Sequence, residues 1–457
     1  MALADGLVDA GGIPFTLIDR GATLGGLAQT VHWGGVGDHD LGPHKMFSLD
    51  RGLVSRVEAL LPPSDWLTRD KISAIYMNGC YLPYPPSPFS LANVFGFSAF
   101  GRIVFGYGRA RLKSLFRSRE PETFEEDLVN RLGLELYEIL FKPIALKLWG
   151  EPRTLDVKLS RGRVQTPSLI EVIARMLKIR KSSEFEALTF RYPQGGLSRL
   201  WKAIEQKGQG KGKFHLNHAV SGLKVHNGRV VGIECAHNGT AKSIEVGPDD
   251  FVVSTLPLAL TTRVLSNTLS ARIVDMADRV ISLNDLLLVF LHVDTPSLVK
   301  ESWVFVPDPN IVFHRLSEQE SFDPGMSPSG SIVCCEIMSS PNRLLANRSD
   351  SNLVADALKG LKEMGYRDFK VLSQRVIRLP KSYPVFRPGF EAGLTEVLEH
   401  LDSIDNFRTI GRQGAFNYIG TLDAMDIGYG FVRWLGQRDR SHWNQERKRT
   451  NHYPVLD

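Results

Sequence analysis

Three features of this 457-residue chain predict an α/β fold. The apolar run Phe15-Thr16-Leu17-Ile18 ends on a carboxylate, Asp19, and the glycine pair Gly25-Gly26 follows it. A second glycine-rich stretch, Gly411 to Gly428, follows the apolar run Phe407-Arg408-Thr409-Ile410 near the other end. Between them, strand signals gather at 214–258 and 280–338, and helical spacing lies on either side. Together these predict a Rossmann-like layer whose first strand is missing, with an inserted α+β domain on a mixed sheet.

The elements follow in order. Met1 to Ala10 has helical spacing at Leu3, Leu7 and Ala10, and Gly11-Gly12 ends it. A dinucleotide fold opens with a strand and a G-x-G-x-x-G turn before that helix, and here Met1 already lies inside the helix. The reading favours a start upstream of Met1 over a truncated domain. Tyr81 to Pro86 is a proline-stiffened extended segment. Helices are expected within Phe124 to Leu148, Ser168 to Leu177, Ser198 to Ile204, 351–366 and Tyr429 to Leu435. Arg109 to Arg119 is a basic amphipathic candidate, either a solvated face or a contact for an anionic lipid or diphosphate. Asn227-Gly228 marks a hairpin turn between two strands, and Phe251 to Pro257 reads as a buried strand.

These elements divide the chain into a discontinuous nucleotide-binding domain, 1–70, 186–258 and 371–457, and a substrate domain, 71–185 and 259–370. Hydrophobic residues make up 43% of the chain, enough for a sizeable core. The net charge of +5 is a mild excess without a long basic stripe, so nucleic acid is not an expected partner. No run of 18 uninterrupted apolar residues argues for a membrane span, and peripheral contact stays open. The four cysteines form no C-x-x-C pair, which suits structural thiols in a reducing, cytoplasmic setting.

Asp19 is the candidate ribose anchor, because a strand-end carboxylate suits a ribose hydroxyl. Gly25 and Gly26 allow the backbone to approach a flat cofactor closely. Asp40-Leu41-Gly42-Pro43-His44 places an imidazole after a tight turn, where a neutral ring can donate or accept one hydrogen bond. His39 reads as a bystander. The Gly195-Gly196 turn before Ser198 could close over a ligand or serve only as a turn. Arg412 suits a diphosphate, and the helix that follows can present its N-terminus to developing negative charge. Arg315 and Arg387 each sit beside aromatic residues and could meet an anionic substrate.

These pieces resemble the flavin-dependent amine oxidase and protoporphyrinogen oxidase superfamily, most of all the branch near UDP-galactopyranose mutase. The matching segments are Ile18-Asp19-Arg20, Leu24 to Leu27, Asp40 to His44, Lys147 to Gly150, Tyr192 to Leu197, Ser254 to Pro257 and Gly411 to Gly428. The resemblance implies FAD as cofactor. It implies Asp19 and Arg20 at the adenosine ribose, Gly25, Gly26 and Leu27 along the cofactor, and Val220 at the adenine. It implies Gly42 and His44 beside the flavin, and Gly411, Arg412, Met425, Asp426 and Ile427 at the diphosphate and ring.

The leading expectation is an FAD-dependent oxidoreductase that takes a hydride from a small organic substrate onto flavin N5. His44 and Arg315 are its candidate catalytic residues. The alternatives are a sugar-nucleotide isomerase of the mutase kind, with a nucleotide-sugar as the small-molecule substrate, and a truncated non-catalytic relative.

Overall fold

The computed structural model describes residues 1–114, 116, 119–164, 189–437, 442–450 and 453. The expected helix at Ser168 to Leu177 lies outside them.

The layer expected to be Rossmann-like is parallel and consists of two separate strand pairs. Phe15–Ile18 runs parallel to Gly212–His215, and Val252–Ser254 runs parallel to Phe407–Thr409. The N-terminal helix Ala2–Asp9 packs against the helix Thr421–Leu435. Their contact is close because Gly428 carries no side chain: a Cβ there would lie 2.8 Å from the Leu3 amide nitrogen. That contact joins the two ends of the chain.

The second layer is a mixed sheet of seven strands. Its order is Val371–Val385, Ser282–Val293, Ser331–Ser339, Arg315–Glu318, Trp303–Phe305, Ser73–Met77 and Cys80–Pro83. All neighbours are antiparallel except Trp303–Phe305 with Ser73–Met77. Alternation along Ser282–Val293 divides its side chains between two cores. Leu287, Val289 and Leu291 face the helix Asp350–Glu363, while Leu286, Leu288 and Phe290 pack with Val36 and Leu41 of the N-terminal segment. The inserted domain therefore rests directly on the loop that carries His44.

One domain boundary needs correction. Val371–Val385, placed with the nucleotide-binding domain from sequence, pairs with Ser282–Val293 along nearly its whole length. Its alternating pattern fits an edge strand with one solvated face, and the chain re-enters the first domain only afterwards.

The helical part begins at Thr123, whose hydroxyl accepts the Glu126 amide at 3.2 Å and caps Phe124–Leu132. The helical stretch expected to reach Leu148 is interrupted by Gly133 at φ +85, restarts at Leu134, and passes through a π-helical turn, Tyr137–Phe141, into Lys142–Leu148. The basic segment after Arg109 belongs to a much longer helix, Pro88–Ser114. The helix expected at Tyr429 to Leu435 starts earlier, at Thr421, because Asp423 closes its first turn by accepting the Gly420 amide at 3.0 Å, and a further helix, Trp443–Thr450, follows it.

Candidate active site

Asp19 lies where the strand Phe15–Ile18 ends, at the carboxyl edge where open α/β sheets bind ligands. Its amide donates to the His215 carbonyl at 3.0 Å, and its own carbonyl accepts from the His218 amide at 2.8 Å. Its carboxylate accepts the Gly21 amide at 2.6 Å. His218 opens the strand His218–His226 that carries Val220, so Asp19 and Val220 are neighbours in space. Val220 turns its side chain onto the core, which leaves only its backbone for a ligand. Arg20 is exposed.

The Gly25-Gly26-Leu27 loop packs on the helix Ser198–Lys207. A Cβ on Gly25 would stand 2.4 Å from the Trp201 ring, whose indole N–H donates to the Ala28 carbonyl. Behind the loop, Asp40 is buried and accepts from Thr30 Oγ1 and Tyr192 OH, each at 2.6 Å. Its burial raises its pKa to about 6 against these hydrogen bonds. Gln319 joins the same network by accepting the Asp40 amide at 3.0 Å and donating to Tyr192 OH at 3.1 Å. The network locks the turn that leads to His44. Gly195-Gly196 belongs to this scaffold, since Asp323 accepts the Gly195 amide at 2.6 Å and Thr30 fills the space beside Gly196. His39 is fully buried with its ring centroid 3.8 Å from that of Phe290.

At the centre, side chains from distant segments converge. Desolvation, followed by the positive charges of Arg315 and Arg412, pushes the His44 pKa down to about 4. The ring is therefore neutral at pH 7, and backbone groups of Leu41 and Leu27 hold it. Arg315 is gripped by the buried Glu336 through two hydrogen bonds, at 2.5 and 2.8 Å. Its guanidinium is thus a fixed charge next to His44. The Glu336 pair holds it rigidly in place.

Arg412 lies with its guanidinium carbon 5.0 Å from the Tyr418 ring centroid and 5.7 Å from that of Tyr383, and it donates to the Ile419 carbonyl. Arg163, at the end of the helix Val157–Arg163, covers the Tyr418 ring at 3.3 Å. The two tyrosine rings meet edge to face at 5.5 Å. Burial pushes the Tyr418 hydroxyl well up, so it stays protonated and can donate.

Three predicted contacts point elsewhere. Met425 packs in the core with Tyr429, and Ile427 packs with Phe431 and Trp434. Asp426 pairs with Arg449, Arg433 and the Tyr453 hydroxyl. Their side chains are used in holding the helix, so this stretch can serve a ligand only through its backbone. Arg387 likewise donates to Thr154 Oγ1 at 2.6 Å, which ties it to the helical part. Arg163, Tyr383 and Tyr418 were not singled out from sequence. Tyr418 stands inside the Gly411 to Gly428 stretch, and Tyr383 beside the Arg387 cluster, so both could have been found. Nothing local marks Arg163.

The family model described as flavin containing amine oxidoreductase matches residues 120–386. The chain belongs to that family. Similar solved structures carry the same fold. A reduced UDP-galactopyranose mutase superposes with a TM-score of 0.82 at 19% identity, covering 98% of this chain and 94% of its own. A putative protoporphyrinogen oxidase from Exiguobacterium sp. 255-15 gives 0.73 at 17% identity, covering 95% of both chains. Cyclohexylamine oxidase from Brevibacterium oxydans IH-35A gives 0.62 at 13% identity, covering 95% of this chain and 97% of its own.

The family implies a flavin, and the residues present fit one. Buried polar atoms without a hydrogen-bond partner among the described residues gather at the centre: His44 Nε2, Arg412 Nε and Asn417 Nδ2. Burying such groups unpaired is costly, so they suit a polar, electron-rich ligand. Asp19 and the backbone of Val220 lie together at one strand edge.

Proposed function

We propose that this protein is an FAD-dependent enzyme acting on an anionic sugar nucleotide, with an isomerisation like that named for UDP-galactopyranose mutase. The observation that carries this reading is the pair of guanidiniums over one ring, Arg163 at 3.3 Å and Arg412 at 5.0 Å from Tyr418. A positive centre attracts a diphosphate and repels a protonated amine.

FAD would lie from Asp19, past Gly25, Gly26 and Gly42, to His44 and the entry of Thr421–Leu435. When bound, it supplies the electron chemistry at its N5. The chain's own residues bind and orient. Asp19 would accept from the ribose hydroxyls, and Arg412 would help hold the cofactor. Arg163 and Tyr383 face the substrate diphosphate. His44 is neutral and offers Nε2 to the ring edge. Tyr418, held protonated, donates a hydrogen bond without taking on charge. The first turn of Thr421–Leu435 directs its amides at negative charge.

A second reading, an oxidoreductase passing a hydride to the flavin, is favoured by the family's own description. Anaerobic incubation of the reduced enzyme with UDP-galactopyranose separates the two. Isomerised sugar without net flavin oxidation supports the first. Bleaching of the oxidised flavin by amines or by carboxylate-bearing polyenes, with no sugar product, overturns it in favour of the second.

A further inference from the structure

The helix Pro88–Ser114 leaves the edge of the seven-stranded sheet and turns its apolar side chains outward. One face is packed on the protein: Leu91, Ala92 and Ile103 are buried. The opposite face is not covered. Phe97 is 85% exposed, Phe105 71% and Leu112 61%. After the kink at Gly96 these residues recur at steps of seven or eight, which is every second helical turn, with Val104 beside Phe105. Gly101 and Gly108 lie in the gaps between them, with open space around each. Phe116, just past the helix, is 83% exposed. An aromatic stripe this exposed is far from the scattered single apolar residues of an ordinary surface.

A line of cations flanks that face. Arg102, Arg109 and Lys113 lie about a quarter-turn round the helix from the apolar stripe, and all are exposed. Arg109 and Lys113 have no partner among the described residues, and Arg102 reaches only Ser98 of its own helix, at 3.2 Å. The stretch Phe89–Ser114 is long and apolar enough to cross a membrane by length and composition. Two facts favour lying flat over crossing: the face packed on the protein, and an arginine in the middle of the helix. An apolar wedge flanked by cations is the arrangement of helices that rest in the lipid headgroup region.

We propose that this face docks the protein onto an anionic lipid bilayer, with Phe97, Phe105 and Leu112 inserted and Arg102, Arg109 and Lys113 against the headgroups. A second copy of the chain would meet the same row of cations and be repelled along it. The site is independent of the flavin centre.

The test is cosedimentation of the full chain with vesicles of phosphatidylcholine alone and of phosphatidylcholine mixed equally with phosphatidylglycerol. The expected result is binding to the mixed vesicles and little to the neutral ones. The triple variant F97S/F105S/L112S should stay in the supernatant. R102A/R109A/K113A should lose affinity by about fivefold for each cation removed. All six positions touch solvent, so both variants should keep the parent melting temperature. The variant F105W provides an independent reading, because brominated acyl chains should quench its fluorescence. Failure of the parent to sediment, equal binding to both vesicle types, or an unquenched F105W would overturn the proposal. So would a dimer in light scattering that the serine variant dissolves while the parent ignores vesicles.

Discussion

Arg163 sits with its guanidinium carbon 3.3 Å from the Tyr418 ring centroid, although the two come from different parts of the chain. Arg163 ends a helix of the inserted part, and Tyr418 precedes the final helix of the nucleotide-binding layer. The contact ties the helix Val157–Arg163 to the segment that leads into Thr421–Leu435.

From that relationship the two arginines should separate in their effects. Arg163→Ala should raise KM for a UDP-sugar by about thirtyfold, the value of one lost charged hydrogen bond, and leave flavin content intact. Arg412→Ala should lower flavin content itself. Flavin absorbance of the purified variants, read beside their steady-state kinetics, checks both outcomes.

His44 carries a pH signature. Its pKa in the folded protein is about 4, below the ordinary 6.5, so the unfolded chain binds its proton first as pH falls. Stability is therefore lost as pH drops from about 6.5 to 4, by at most about 3 kcal/mol from this group. His44→Asn should flatten that part of the profile. Urea melts of parent and variant across the window measure the difference, and parallel profiles would count against a desolvated ring.

Asp40 has the opposite sign. Its pKa is raised to about 6 from 3.8, so its contribution to stability grows as pH falls through 6 toward 3.8. Tyr192→Phe removes one of its donors and should cost about 1–3 kcal/mol at pH 7, where the carboxylate is charged and buried. The deficit should shrink below pH 5. Denaturant melts at the two pH values give the comparison.

The two adjacent glycines should respond differently. Gly25→Ala places a Cβ 2.4 Å from Trp201 in a backbone of φ +112, so it should disrupt the loop and lower flavin content. Gly26→Ala meets nothing within 4 Å and carries only the strain of φ +59, a cost of about 1 kcal/mol. Thermal melts together with flavin content separate a steric effect from a conformational one.

Much of this arrangement is legible in local sequence. A carboxylate after an apolar run, glycine pairs, and a Gly-Pro-His turn leave local marks, so Asp19, Gly25 and His44 could be placed without coordinates. Arg163 could not, because a basic residue ending a short helix looks the same whether it meets water or a buried ring. Asp426 shows the converse. Its motif pointed to the cofactor, yet helical periodicity does not say which neighbour each face meets, and its carboxylate went to Arg449 and Tyr453. The boundary at 371 failed for a similar reason: a half-solvated strand fits the edge of either sheet until its pairing is known.

The most direct test of the central claim, that His44 and Arg412 from opposite ends of the chain meet at one flavin, is a crystal structure of the FAD-loaded protein. The account predicts the isoalloxazine ring within hydrogen-bond reach of His44 Nε2 and Arg412 Nε, with its ribose on Asp19. A flavin held elsewhere, or one that leaves both of these atoms without a partner, would contradict it.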